Sequence, residues 1–154
     1  MTAPIRIIPR IDVRGENVVK GIHLEGVRKV GSPSVLAAKY AAEGADEILF
    51  MDVVASLYRR NNLLPIVRQV AKDIFIPLTV GGGIRSLDNI IQVLRSGGDK
   101  VAINTEGINR PIFITEASKA LGSQCIIVSI EAKRTGSRKW EAYSHNGREK
   151  TGKD

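Results

Sequence analysis

The sequence predicts an α/β chain of (β/α) barrel type, and three observations point there. Ile76–Arg85 runs from a short apolar strand into three consecutive glycines and then a helix start. Strand-like and helix-like segments alternate along the whole chain, which implies a parallel sheet with helices packed on it. The first strand carries polar residues on one face, which suits a barrel interior better than an open sheet covered on both sides. Glycines at a strand–helix junction let backbone N–H groups approach an anion closely, and the helix N-terminus adds its dipole. Phosphate is the expected ligand, because barrel phosphates sit on loops at the C-terminal ends of strands.

The elements follow in order. Arg6–Val13 reads as the first strand, with Arg6, Ile8, Arg10 and Asp12 on one face and Ile5, Ile7, Pro9, Ile11 and Val13 on the other. The apolar face is expected to pack on helices. A long loop follows, with an extended segment expected at Asn17–Leu24. Ser32-Pro33 marks a helix N-cap with proline at the first helical position, and Gly44 a stop. Glu47–Val53 is the second strand, and Leu63–Lys72 has helical apolar spacing. The third strand ends at Val80, and Ser86 caps a helix over Leu87–Arg95. Lys100–Ile103 is the fourth strand, with Lys100, Ala102 and Asn104 on one face. Pro111 opens a helix running towards Gly122. Gln124–Glu131 is the fifth strand, with Ile127, Ser129 and Glu131 on one face, and Trp140–Tyr143 forms part of a hairpin.

Length and composition set bounds. At 154 residues, with 43% hydrophobic and 25% charged residues, the chain is ordinary for one soluble domain. A (β/α)₈ barrel needs eight strands and typically about 250 residues; a doubly wound sheet closes with five strands. A dinucleotide fold should carry its glycine fingerprint after the first strand, where Asp12-Val-Arg-Gly15 stands instead. The net charge of +7 favours anionic ligands. Much of it lies in the tail beyond Lys133, as a solvated basic surface. Only Trp140 and Tyr143 could stack on bases there, so nucleic acid is not an expected partner. Cys125, the only cysteine, falls in an apolar run and reads as a small buried thiol. No segment has signal-peptide or membrane-spanning character, and a reducing cytoplasm fits.

A set of colinear segments then becomes specific. They are Arg6-Ile-Ile-Pro9, Ile11-Asp-Val13, Val18-Val-Lys-Gly21, Asp52-Val-Val-Ala-Ser56, Thr79-Val-Gly-Gly-Gly-Ile84, Asp99-Lys100-Val101, Ile103-Asn-Thr105, Gly122-Ser-Gln124 and Ala132-Lys-Arg134. Together they resemble the N-terminal portion of the imidazole glycerol phosphate synthase cyclase subunits. The resemblance implies a (β/α)₈ TIM-type barrel, here reduced to about its first five strands and four helices, with the second half absent from residues 1–154. It implies a cyclase that uses ammonia from a partner glutaminase to convert a phosphorylated ribulosyl-formimino carboxamide ribotide to imidazole glycerol phosphate. No metal or other cofactor is implied.

Site residues carry over position by position. Asp12 and Glu131 match the catalytic acids. Lys20 matches a loop lysine that holds substrate, and Gly82, Gly83, Asn104 and Thr105 match phosphate contacts, with Asp52 and Thr79 lining the same mouth. Arg6, Glu47 and Lys100 match charges of an ammonia gate on the opposite face, with Asp99 near the glutaminase interface. Each has a plainer alternative: a cap for Asn104-Thr105, a tight turn for Gly81–Gly83, a strand-ending acid for Asp52, a solvated lysine for Lys20, and surface ion pairs for the gate.

The chain departs from the family pattern at Glu131, where aspartate is usual, and at Arg10, where cysteine is usual. Arg10 is expected to pair with Glu131 or Asp12 and to depress the pKa of that acid. The departures keep alternatives open: a paralogous barrel that passes ammonia to a sugar in surface-polysaccharide synthesis, or a non-catalytic half-barrel that docks or self-associates.

Overall fold

The computed structural model describes residues 5–22, 26–55 and 63–154. Its elements are β1 (Arg10–Arg14), β2 (Asn17–Ile22), β3 (Gly26–Gly31), α1 (Pro33–Ala42), β4 (Ile48–Asp52), α2 (Leu64–Asp73), β5 (Leu78–Gly81), α3 (Leu87–Arg95), β6 (Lys100–Ile103), α4 (Thr105–Asn109), α5 (Ile112–Leu121), β7 (Ile126–Val128), β8 (Glu131–Gly136), β9 (Lys139–Ser144) and β10 (Glu149–Lys150). Five strands run parallel in the order β1-β4-β5-β6-β7, as the expected α/β barrel-type sheet requires. The antiparallel hairpin β2-β3 extends the sheet at β1, and β8-β9-β10 form a separate antiparallel sheet. No helix among the described residues is long and apolar enough to cross a membrane.

Register explains the two faces. Ile11 lies opposite Phe50, Phe50 opposite Val80, and Val80 opposite Val101. This row faces the helices and merges with Ala37, Val67, Val70, Ile90, Val93, Phe113 and Ala117 into the main core. The next row joins Asp12, Met51, Gly81, Ala102 and Ile127 on the inner face. A further row joins Arg10, Leu49, Thr79 and Lys100. The inner face therefore mixes polar and small residues with a minor apolar cluster around Met51, Ala102, Leu49 and Ile127, and the outer face is continuously apolar.

The helices begin and end where local chemistry directs. Pro33 opens α1 with its fixed φ, although Ser32 makes no side-chain cap bond. The Ser86 hydroxyl accepts from the Asn89 N–H at 3.2 Å and caps α3. Gly44, with φ +93°, follows the end of α1.

Several expectations need correction. The first strand joins the ladder only from Arg10, because Pro9 has no N–H to donate. The segment before it still runs beside β4: Asp46 N–H donates to Ile7 O at 2.9 Å and Leu49 N–H to Pro9 O at 3.0 Å. Ile5 and Ile7 do not pack on helices; they are 92% and 66% exposed. The extended segment ends at Ile22 as β2, Leu24 lying outside the described residues, and β3 returns beside it. A short helix, α4, precedes the helix opened by Pro111. The fifth strand is confined to Ile126–Val128, because Ser123–Cys125 form a 3-10 turn, and Glu131 starts β8 instead. Cys125 is buried, its thiol near the carbonyls of Leu121 and Gly122.

Among the described residues β7 pairs only with β6, and Ile112, Val128 and Ile130 nearby are exposed. An open edge with apolar side chains promotes association. Light scattering should show the unaltered chain self-associating, and Val128→Lys together with Ile130→Lys should reduce the mean mass without lowering helix content.

Candidate functional site

The C-terminal ends of β4, β5, β6 and β7 open into a cavity of about 410 Å³. Asp52, Gly82, Gly83, Asn104, Thr105 and Glu131 all line it. Asp52 follows Met51 at the end of β4, where its carboxylate accepts from the N–H groups of Val54 and Ala55, both at 3.0 Å. Asp52 is thus a turn-forming acid and a wall of the cavity at once. Burial raises its pKa, and the two N–H bonds oppose that rise.

The glycines are required by space. Gly82 has φ +100°, and a Cβ there would lie 2.4 Å from Asp52 O. Any side chain at Gly82 therefore pushes the β4 and β5 ends apart. Asn104 donates from Nδ2 to Ser129 O at 2.9 Å and so ties the end of β6 to the segment after β7. The Thr105 hydroxyl accepts from His145 N–H at 3.1 Å.

The remaining wall is the turn between β9 and β10, which the sequence did not flag. His145 and Asn146 line the cavity there, with φ of +51° and +59°. The turn is tied down at several points. Arg148 donates to Val53 O at 2.9 Å, and Arg10 donates from Nη2 to Asn146 Oδ1 at 2.9 Å. A local signal was present: Asn146-Gly147 is a turn dipeptide placed after the alternating strand Lys139–Ser144. Arg85 also lines the cavity and donates to Ala55 O at 3.0 Å.

Asp12 stands beside the cavity rather than in its wall. It reaches the lining residues through Arg10, whose Nε donates to Asp12 Oδ1 at 2.7 Å and whose Nη1 lies 4.0 Å from Glu131 Oε1. Arg10 therefore engages both acids. Its expected consequence fails at Glu131: the pKa is raised, because burial outweighs the attraction of Arg10 and nearby Asp12 pushes in the same direction as burial. Glu131 Oε2 and His145 Nδ1 are buried without a hydrogen-bond partner.

Other predicted site residues fall elsewhere. Lys20 is exposed on β2 and does not line the cavity. Thr79 is corrected too: it is buried away from the mouth, where its hydroxyl donates to Glu47 Oε1. Glu47, 2% exposed, also pairs with Lys100 and lies 3.6 Å from Arg6. Its pKa is lowered: burial pushes it up, but the bonds from Lys100 and Thr79 and the charges of Lys100 and Arg6 prevail. Asp99 accepts from Leu78 N–H at 2.8 Å and pins the start of β5. No group of three or more His, Cys, Asp or Glu side chains placed to hold a metal occurs among the described residues.

Comparison with known proteins decides the family. The profile described as "Histidine biosynthesis protein" matches residues 6–154. The chain belongs to that family. It is 55% identical over 150 residues to the imidazole glycerol phosphate synthase subunit HisF of Legionella pneumophila, covering 97% of this chain and 71% of the relative. It is 46% identical over 149 residues to the subunit of the same name from Myxococcus xanthus (strain DK1622), covering 97% of this chain and 58% of that relative. The chain thus spans a little more than half the length of the second relative. Both relatives are named as subunits, and membership in the family fits the (β/α) barrel type of the sheet.

Two outcomes follow from the site. Gly82→Ala should cost about 1–3 kcal/mol in urea unfolding, from strain at positive φ and the clash with Asp52. Glu47 has a folded pKa below its unfolded one, so its contribution is full above the unfolded value and is lost as pH falls through the folded one. Melting temperatures of the unaltered chain and Glu47→Gln should therefore differ most near neutral pH and converge in acid.

Proposed function

We propose that this chain acts as a cyclase subunit of imidazole glycerol phosphate synthase, in histidine biosynthesis. The observation that carries the reading is the meeting of Asp12 and Glu131, from β1 and β8, around one guanidinium at a glycine-walled cavity. Cyclisation of a ribotide with ammonia needs protons moved at two places on the substrate. Two carboxyl groups with different surroundings are suited to divide that work. Glu131, half-buried and raised in pKa, fits the proton-donating role, and Asp12 the accepting one. Gly82, Gly83 and the N–H groups around Asn104 and Thr105 provide a pocket for a phosphate of the substrate.

The partner in this reading is a glutaminase that supplies ammonia, docked on the face opposite the cavity. There Arg6, Glu47 and Lys100 form a linked charge cluster near the strand starts, with Asp99 adjacent to Lys100. Arg6 is exposed enough for a partner to reach it, whereas Glu47 is enclosed.

A second reading is favoured by Arg10 itself. Its contacts to both acids fill the space beside Asp12 with a cation, which suits an ammonia-channelling barrel acting on a different acceptor, such as a sugar in surface-polysaccharide synthesis. Ammonia-dependent turnover of the ribulosyl-formimino carboxamide ribotide separates the two. Under the cyclase reading the chain forms imidazole glycerol phosphate, and Asp12→Asn and Glu131→Gln each lower kcat by roughly 10²–10⁴. Failure to consume the ribotide, with glutaminase activation retained, transfers the assignment to the sugar-amidating reading.

A further inference from the structure

We propose that Arg10 is a positioning residue that locks the acid pair and the β9–β10 turn into one rigid unit at the mouth of the cavity. The inference rests on the reading of Asp12 and Glu131 as the reacting acids. The guanidinium is a planar fork, and here each of its nitrogens faces a different element. Nε bonds Asp12 on its own strand at 2.7 Å, Nη2 bonds Asn146 on the turn at 2.9 Å, and Nη1 stands 4.0 Å from Glu131 on β8. Two of its donors are committed to protein acceptors, Asp12 and Asn146. Without it, Asp12 loses its bonded partner and two carboxyl groups face one another with no cation between them.

Arg10 also determines where the cavity wall stands. Asn146 carries φ +59°, next to His145 at +51°. These two left-handed residues line the cavity, and the fork holds the Asn146 side chain against β1. A lysine at this position keeps the charge but makes only one directed contact at a time, so charge and geometry can be separated by experiment. The charged groups acting on Glu131 are Arg10 and Asp12 from β1 and Arg148 from the turn, with the Gly147 N–H beside them. Asp52, Arg85, Glu106 and His145 line the rest of the cavity.

The test uses the full ligand-free chain, with ¹³C-labelled carboxyl groups followed by NMR through a pH titration, alongside ribotide kinetics. In Arg10→Met the Glu131 midpoint should rise, because an attractive charge has gone and the repulsion from Asp12 remains, and kcat/KM should fall about tenfold to a hundredfold. Arg10→Lys should return the Glu131 midpoint towards that of the unaltered chain yet leave kcat/KM low. Asn146→Gly cuts the arm to the turn without straining the backbone at φ +59°, and should raise KM while leaving the midpoint in place. A Glu131 midpoint that does not move in Arg10→Met, or full kcat/KM in Arg10→Lys, overturns the proposal. A midpoint that moves as expected in a chain unable to turn over the ribotide sinks the cyclase reading and upholds the role of Arg10. Thermal melts identify any variant that unfolds, and Asn146→Gly, altered at a turn outside the core, then carries the test: an unchanged KM there overturns the proposal.

Discussion

The parallel register of β1, β4, β5 and β6 is the constraint from which the rest of the molecule follows. Because side chains alternate, one alignment decides both the core and the site. Setting Ile11 opposite Phe50 and Phe50 opposite Val80 sends the large apolar residues to the helices. The same pairing sends Asp12, Met51, Gly81 and Ala102 to the inner face. A shift of one residue in any strand would bury Asp12 or Lys100 among the helices and expose Phe50 or Val101. Charges of that kind are costly to bury unpaired, which makes the register strongly specified.

The loops complete what the register begins. Gly81–Gly83 let the end of β5 pass close to Asp52, while Asp52 turns the chain after β4 by accepting two N–H groups. The β8–β9–β10 sheet then lies beside the strand ends, and its turn closes one side of the cavity. Its attachments are polar and come from distant parts of the chain: Arg10 to Asn146, Thr105 to His145, and Arg148 to Val53. Such contacts orient a wall more than they stabilise the fold, since each net hydrogen bond is worth only about 1 kcal/mol.

What the sequence made legible was local or periodic. The helix over Leu87–Arg95 and the strand Lys100–Ile103 coincide with the structure, because Ser86 caps the one and apolar alternation marks the other. The glycine-rich strand end was legible for the same reason. The cavity wall was not. His145, Asn146 and Arg148 acquire their places through partners about 40 to 136 positions away, and no pattern within a window contains that information. Thr79 shows the complementary limit. Its position in the strand was correct, but its nearness to Glu47 depends on how β4 and β5 align, which places it in the lower charged layer and not at the mouth. Arg10 was foreseen as a partner of the acids, and the direction of the Glu131 shift was missed because burial could not be weighed from sequence.

Glu47 and Glu131 show how the same side chain is put to opposite uses at the two ends of the sheet. Glu47 lies at the strand starts, enclosed, with Thr79 and Lys100 bonded to its two oxygens and Arg6 nearby. Its charge is compensated, its pKa is lowered, and it serves as a fixed anionic centre. Glu131 lies at the strand ends with the Gly147 N–H beside its carboxylate, one oxygen unpartnered and an arginine only at the limit of ion-pair distance. Burial there is undercompensated, and its pKa is raised. A buried polar atom left without a partner is a standing cost, and a side chain able to take or give a proton is what such a position supplies. The charge of the first glutamate is compensated on every side, and that of the second is not.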